Sequence, residues 1–233
     1  MQLPPFKCRA SATGAMMTNP RSGDGLSKSC IGVIEDWVKF QIYNRRKDFS
    51  SKQIVKGVTN EDDAIEFMSQ FYDLGMAFKN EQHFEDDYFT GTPDIITDDT
   101  VIDIKCSWDC YTFPMFSEEI PTKGYELQLM TYMWLTGRRK AKLTYCLMDA
   151  PENLIDKAAY FQAKDLGLDD TPVELYDKVK AHMTYEDLPA NIRIKSYDFD
   201  FDHLALARIQ TRVSECRDYI KKYIQPKLDK IKL

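Results

Sequence analysis

Two acids and a lysine fall close together in one short stretch of this chain, Gly91-Thr92-Pro93-Asp94 followed by Asp103-Ile104-Lys105. The stretch reads as two strands, Tyr88–Thr97 and Thr100–Cys106, joined by a two-residue turn at Asp98-Asp99. That turn pairs Thr97 with Thr100, Ile96 with Val101, Ile95 with Ile102 and Asp94 with Asp103. Side chains alternate along a strand, so Asp103 and Lys105 share one face, and Ile102, Ile104 and Cys106 take the other. Opposed carboxylates about 5 Å apart repel and raise each other's pKa unless a cation neutralises them. The three histidines, His83, His182 and His203, lie outside the motif. An oxygen-rich site of this kind suits Mg²⁺, which takes oxygen ligands and keeps several waters.

The hairpin needs elements to hold it. A helix capped by Ser27 or Ser29 and running to about Arg46 carries Ile31, Ile34, Trp37, Val38 and Ile42 on one stripe. A second spans about Asp62–Lys79, with Glu61 in its first turn, where the helix dipole favours a carboxylate. A third runs about Lys123–Thr136 and stops at Gly137, placing Gln128 and Tyr132 four apart on one face. Leu143–Met148 and residues 192–201 read as strands, and 151–164 and 172–183 as helices. His203–Leu228 reads as a long amphipathic helix. The predicted fold is α/β, a central mixed β-sheet flanked by helices. Residues 1–233 are expected to form one domain, with a loop-rich lead-in over 1–26 and a C-terminal helix within 203–233.

The net charge of −6 argues against a broadly basic nucleic-acid coat but leaves room for a local groove. Arg45, Arg46, Lys47, Arg138, Arg139, Lys140 and Lys142 are its candidates. Cys8, Cys30, Cys106, Cys110, Cys146 and Cys216 form no C-x-x-C pair and read as buried thiols in a reducing compartment. No apolar run is long enough to span a bilayer, and the N-terminus is interrupted by prolines and charges. A soluble, cytoplasmic protein with no membrane partner is expected.

Together these residues resemble the PD-(D/E)XK nuclease superfamily. Pro93-Asp94 matches the first half of its motif, Asp103-Ile104-Lys105 the second, and Glu61 the upstream helix carboxylate. Gln128-Leu-Met-Thr-Tyr132 is similar to the Q-x-x-x-Y motif of the RecB-like exonuclease branch. Arg9-Ala10-Ser11-Ala12 looks like the arginine–serine lead-in of the phage lambda exonuclease and the YqaJ-like recombinases. The resemblance covers about residues 9–132 and implies a restriction-endonuclease-like core and metal-dependent phosphodiester hydrolysis. On that reading Asp94, Asp103, the Ile104 carbonyl and Glu61 hold Mg²⁺, with Mn²⁺ as substitute. Lys105 activates a water, Gln128 positions it, Tyr132 packs behind or touches DNA, and Arg9 and Ser11 bind a terminal phosphate. Only Cys146 and Cys216 follow the Gln128–Tyr132 helix, so no iron–sulfur cluster is expected. The implied function is a DNA exonuclease of phage-type recombination or repair, acting on double-stranded DNA with free ends in a bacterial or phage-infected cell. A single-strand annealing protein and further copies of the chain are its implied partners. The alternatives are an endonuclease of the same fold and a non-catalytic DNA-binding accessory protein.

Overall fold

The computed structural model describes residues 2–45, 51–75 and 78–231. Strand β1, Cys8–Arg9, leads through a 3-10 turn, Ala10–Ala12, into a short helix α1, Thr13–Met16. Helices α2, Lys28–Tyr43, α3, Lys52–Thr59, and α4, Glu61–Phe71, follow. Then come β2, Phe84–Glu85, β3, Phe89–Gly91, β4, Ile95–Ile96, and β5, Thr100–Cys106. Helix α5, Gly124–Thr136, crosses to β6, Lys140–Cys146. Helices α6, Glu152–Asp165, and α7, Val173–Met183, precede β7, Ile194–Asp200. The chain closes on α8, His203–Tyr219, and α9, Gln225–Leu228.

The larger sheet has the order β4-β5-β6-β7, with β5 and β6 parallel and both outer pairs antiparallel. Parallel neighbours need a crossover, and α5 supplies it. The pairing of Ile95 with Ile102 and Ile96 with Val101 is the register read from the sequence. Its two faces bury different sets. Ala64, Ile65 and Met68 of α4 cover Ile95, Ile102, Ile104, Cys146 and Ile194. On the opposite face Leu129, Met130 and Met133 of α5 pack with Leu143, Tyr145 and Tyr197, backed by Ile34 of α2 and Ile209 and Val213 of α8. This is the mixed sheet flanked by helices that the sequence predicts.

The loop-rich lead-in holds short elements that the sequence does not show: β1 pairs in parallel with β3, which also pairs with β2, and Phe6, Cys8, Ala10 and Met16 are buried. Three local expectations need correction. The strand expected over Tyr88–Thr97 is broken at Thr92–Asp94 into β3 and β4 of different sheets. The second helix ends at Phe71, where Asp73 takes a left-handed φ of 50° and the Leu74 N–H reaches back to the Ser69 carbonyl. Its expected N-terminus is preceded by another helix, α3. The last correction concerns the thiols, because Cys110 is exposed and Cys106 only half-buried.

Asn44 closes α2 with a φ of 48°, and Arg45 donates to the Tyr43 and Asn44 carbonyls; Arg46 and Lys47 lie outside the described residues. The predicted C-terminal helix is continuous, but Ile220–Ile224 widens into a π turn between α8 and α9. Pro226 offers no N–H and crowds the carbonyl four residues back, which a widened turn relieves. From α8, Arg217 donates Nε to the Phe6 carbonyl at 3.0 Å and Nη2 to the Asp87 carbonyl. The C-terminal helix therefore grips both β1 and the β2–β3 turn. Among the described residues no helix is long and apolar enough to cross a membrane.

Candidate active site

Pro93 explains why the site opens where it does. Two residues beyond the Ile95–Ile102 pair, the same register would set Pro93 against Ile104, and proline has no N–H for the Ile104 carbonyl. The ladder stops there, and the Ile104 N–H instead donates to Asp94 Oδ2 at 2.7 Å. A strand residue's N–H and C=O leave on the same side, so the Ile104 carbonyl faces the edge where Asp94 lies. Asn80 fixes the break, its N–H donating to the Asp94 carbonyl at 2.7 Å and its Nδ2 to the Pro93 carbonyl at 2.9 Å.

Asp103 and Lys105 sit next along β5, on the α5 side of the sheet. Asp103 is 1% exposed. Gln128 Nε2 donates to Asp103 Oδ1 at 2.9 Å and to the Tyr132 hydroxyl at 3.2 Å. Lys105 Nζ stands 2.5 Å from Asp103 Oδ2 as an ion pair and 4.9 Å over the Tyr125 ring. Apart from Lys105, Asp103 Oδ2 has no hydrogen-bond partner among the described residues. The ring of Tyr132 is wedged between α5 and the lead-in, buried with Ala10 and Val101. A Cβ at Gly91 would meet Tyr132 Cε1 at 2.7 Å and Ala10 Cβ at 3.0 Å, so only glycine leaves room for this ring. Gly14 and Gly124 meet just as closely, a Cβ at Gly14 falling 2.6 Å from Gly124 Cα, which seats α1 on the start of α5.

Burial and the neighbouring Asp103 charge push the Asp94 carboxyl up to about 7. Asp103 is also raised, by burial above all, against the pull of Lys105. Burial alone would lower the Lys105 ammonium, but Asp103 and Asp94 together outweigh it and hold it above the ordinary lysine range. Burial lifts the Tyr132 phenol, with Asp103 and Asp94 adding to it, so the hydroxyl keeps its proton.

Glu61 opens α4 within electrostatic reach of both aspartates, its charge contributing to their raised pKa values. Its Oε2 pairs with Lys79 Nζ at 3.1 Å. Arg9 and Ser11 are exposed at the end of β1 and in the turn after it. Their neighbour Ala10 touches Tyr132, so the lead-in abuts the site, while the bonds of Asp94, Asp103 and Lys105 run to Ile104, Gln128 and one another. The basic run after α5 does not form a groove. Arg138 donates to the Thr97 and Thr136 carbonyls, Arg139 stacks on Phe201, Lys140 pairs with Asp99, and Lys142 pairs with Asp198.

Among the described residues no three His, Cys, Asp or Glu side chains group so as to hold a metal by themselves. Mg²⁺ does not require that. It binds through one or two carboxylates and keeps its remaining waters. A buried carboxylate oxygen held only by the Lys105 ammonium, a second carboxylate forced up to about 7 beside it and a backbone carbonyl on the same edge are what such an ion would relieve. The residues fit it. Asn80, Lys79 and the Gly14–Gly124 contact were not singled out from the sequence; for Asn80 and Lys79 no local signal exists, since their partners are fixed only by the fold.

No protein-family model matches the chain, and no curated protein does at a significant level. Solved structures do match. A phage-related exonuclease from Haemophilus somnus 129PT superposes with a TM-score of 0.77 at 27% identity, covering 96% of this chain and 97% of that one. The alkaline exonuclease of Laribacter hongkongensis superposes with a TM-score of 0.62 at 16% identity, covering 96% and 94%. The same enzyme in complex with dAMP gives 0.63 at 17%. The likeness bears out the resemblance to the PD-(D/E)XK nuclease superfamily and, within it, to the branch of the phage lambda exonuclease and the YqaJ-like recombinases.

Proposed function

We propose that this protein is a metal-dependent DNA exonuclease of phage-type recombination or repair, acting on double-stranded DNA with free ends. The observation that carries the reading is the Asp94–Asp103 carboxylate pair beside Lys105, at the edge where Pro93 ends the ladder. The full-length likeness to a phage-related exonuclease supports it. Asp94, Asp103 and the Ile104 carbonyl would hold one Mg²⁺, or Mn²⁺ in its place, and Glu61 would join on release from Lys79. When bound, the ion supplies Lewis-acid polarisation of the scissile phosphate and acidifies a water. Lys105 holds that water by hydrogen bond and places its positive charge where negative charge develops on the phosphate oxygens. Gln128 fixes the rotamer of Asp103 and so the direction of its other oxygen, which pairs with Lys105. Tyr132 locks Gln128 from behind, and Arg9 and Ser11 meet a terminal phosphate. Further copies of the chain and a single-strand annealing protein are its proposed partners, in the cytoplasm of a bacterial or phage-infected cell.

The test is digestion of end-labelled linear and closed circular duplexes with Mg²⁺, with Mn²⁺, with Ca²⁺ and in EDTA. Mg²⁺- or Mn²⁺-dependent loss of linear DNA alone is expected, with Ca²⁺ inactive. Cutting of the closed circle would make the protein an endonuclease, and undiminished cutting in EDTA would remove the metal from the mechanism. Asp103→Asn or Lys105→Ala forfeits several kcal/mol of transition-state stabilisation, so activity should fall by about 10³-fold or more.

A further inference from the structure

Arg193, immediately before β7, is only 9% exposed. Its backbone is pinned, the N–H donating to the Ala190 carbonyl at 3.0 Å and the carbonyl accepting from the Leu147 N–H at 2.8 Å. The guanidinium stacks on Phe67 of α4, 4.7 Å from the ring centre. Its Nε is buried without a hydrogen-bond partner, and among the described residues no carboxylate pairs with the group. A cation held out of water without a partner is destabilising, and an anion delivered to it offsets that cost. The same side chain lines a groove of about 470 Å³ between α4 and the segments that follow β6 and precede β7. That volume lies in the range of about 300–1,000 Å³ usual for small-ligand sites. The α4 wall is Asp63, Glu66, Phe67 and Gln70, which share one face of the helix. At about 100° per residue that face is turned away from Glu61, so the groove is separate from the Asp94–Asp103 site.

We infer that this groove binds a basic amino acid in its zwitterionic form, either free or as the carboxyl-terminal residue of a peptide. The α-carboxylate meets the Arg193 fork, whose planar N–H groups match two carboxylate oxygens. The cationic end meets the rim, where Asp63, Glu66 and Glu186 are exposed carboxylates. A fourth acid, Asp149, is held by the scaffold, its Oδ1 accepting from the Tyr185 N–H at 2.5 Å. The balance of charge selects the ligand. One buried guanidinium calls for an anion, but three rim carboxylates repel a bare phosphate and still more a nucleic-acid strand. A ligand that brings a cation with its anion satisfies both. Asp63 stands one turn before Phe67, with Cβ atoms about 5–6 Å apart, so the rim and the stacked guanidinium are within reach of one lysine-sized molecule. This function is additional to the nuclease reading and does not depend on it.

The experiment is calorimetric titration of the full chain with L-lysine, lysinamide, acetyl-Gly-Gly-Lys and inorganic phosphate. L-lysine or the acetylated peptide should bind saturably, and the tighter of the two names the source, free amino acid or chain end. Lysinamide, which has no carboxylate, should bind about ten- to hundredfold more weakly than L-lysine, the loss of a charge-assisted contact. Arg193→Met keeps the packing on Phe67 and should weaken L-lysine or the peptide by the same factor. If that variant melts early, Asp63→Asn combined with Glu186→Gln carries the test, since both positions are exposed; a loss of about five- to tenfold is expected. Absence of saturable binding by both L-lysine and the peptide overturns the site, as does unchanged affinity in the variants. Lysinamide binding as tightly as L-lysine would show that Arg193 takes no carboxylate. Inorganic phosphate displacing L-lysine at equal concentration would make this a plain anion site, and the zwitterion assignment falls. No DNA enters the titration, so failure of the nuclease reading leaves its outcome unchanged.

Discussion

Gln128 Nε2 and Asp103 Oδ1 are 2.9 Å apart, and both side chains are buried. Helix α5 thus reaches across to the strand and supplies the directed donor that Asp103 Oδ1 accepts. Gln128→Leu removes that donor and leaves a carboxylate oxygen buried without a partner. A stability loss of about 1–3 kcal/mol is expected, read as a lower melting temperature in EDTA. Nuclease activity should fall as well, since Asp103 loses its fixed rotamer. If the variant melts and cuts like the wild type, Gln128 is not the support described above.

The raised carboxyls make the metal-free protein pH-dependent in an unusual direction. Asp94 titrates near 3.8 when unfolded but is pushed up to about 7 in the fold by burial and by Asp103. Between those values the folded state holds a proton that the unfolded state has released. Stability contributed by this pair is therefore present below about pH 4 and lost as pH rises through about 7. Melting curves in EDTA should show this loss, and Asp94→Asn should flatten it. A wild-type profile that rises over the same range would contradict the buried pair.

Gly91 has ordinary backbone angles, so alanine there is opposed by space and not by conformation. Gly91→Ala must shift the Tyr132 ring or the lead-in, at about 1–3 kcal/mol. Placed on Tyr132→Ala, the same change should cost much less, because its main obstacle is gone. Equal costs in both backgrounds, measured by denaturant melts, would show that the ring is not what Gly91 accommodates.

Arg9 and Arg138 should behave as opposites. Arg9 is exposed beside the site, whereas Arg138 is spent on the Thr97 and Thr136 carbonyls. Arg9→Ala should erase any preference for 5′-phosphorylated over 5′-hydroxyl duplex ends. The loss is roughly ten- to hundredfold in rate at low substrate, equivalent to about 1.5–3 kcal/mol. Arg138→Ala should lower the melting temperature while keeping the preference. The reverse pattern would move the end-reading surface to the basic run after α5.

Much of the architecture is legible before any coordinates, for reasons that can be named. Strong period-2 patterning and the Asp98-Asp99 turn set the Ile95–Ile102 register, and Ser27 and Gly137 mark helix ends by local chemistry. The lead-in is illegible because β1 is a two-residue strand whose partner, β3, lies some eighty residues away, beyond any local signal. The break between α3 and α4 is likewise set by tertiary contact: the Asn60 side chain donates to the Asp149 carbonyl at 2.5 Å. Of the site, Asp94, Asp103, Lys105, Gln128 and Tyr132 are brought together as one cluster. Glu61 is close but paired to Lys79, a lysine assigned to the end of a helix that in fact stops at Phe71. Charge runs were the least informative feature, because whether a lysine meets solvent, an acid or a carbonyl depends on neighbours that composition does not record.

The grip of Arg217 on Phe6 joins positions 211 residues apart. A ribosome makes Phe6 first and Arg217 nearly last, so β1 has no C-terminal clamp until α8 has emerged. Tyr132 leans on Ala10, and Arg9 rides on that same strand. The surface that would meet DNA is therefore among the last parts of the molecule to settle. A nascent or C-terminally cut chain carries every acid and lysine of the motif yet lacks the brace that ties β1 to the β2–β3 turn.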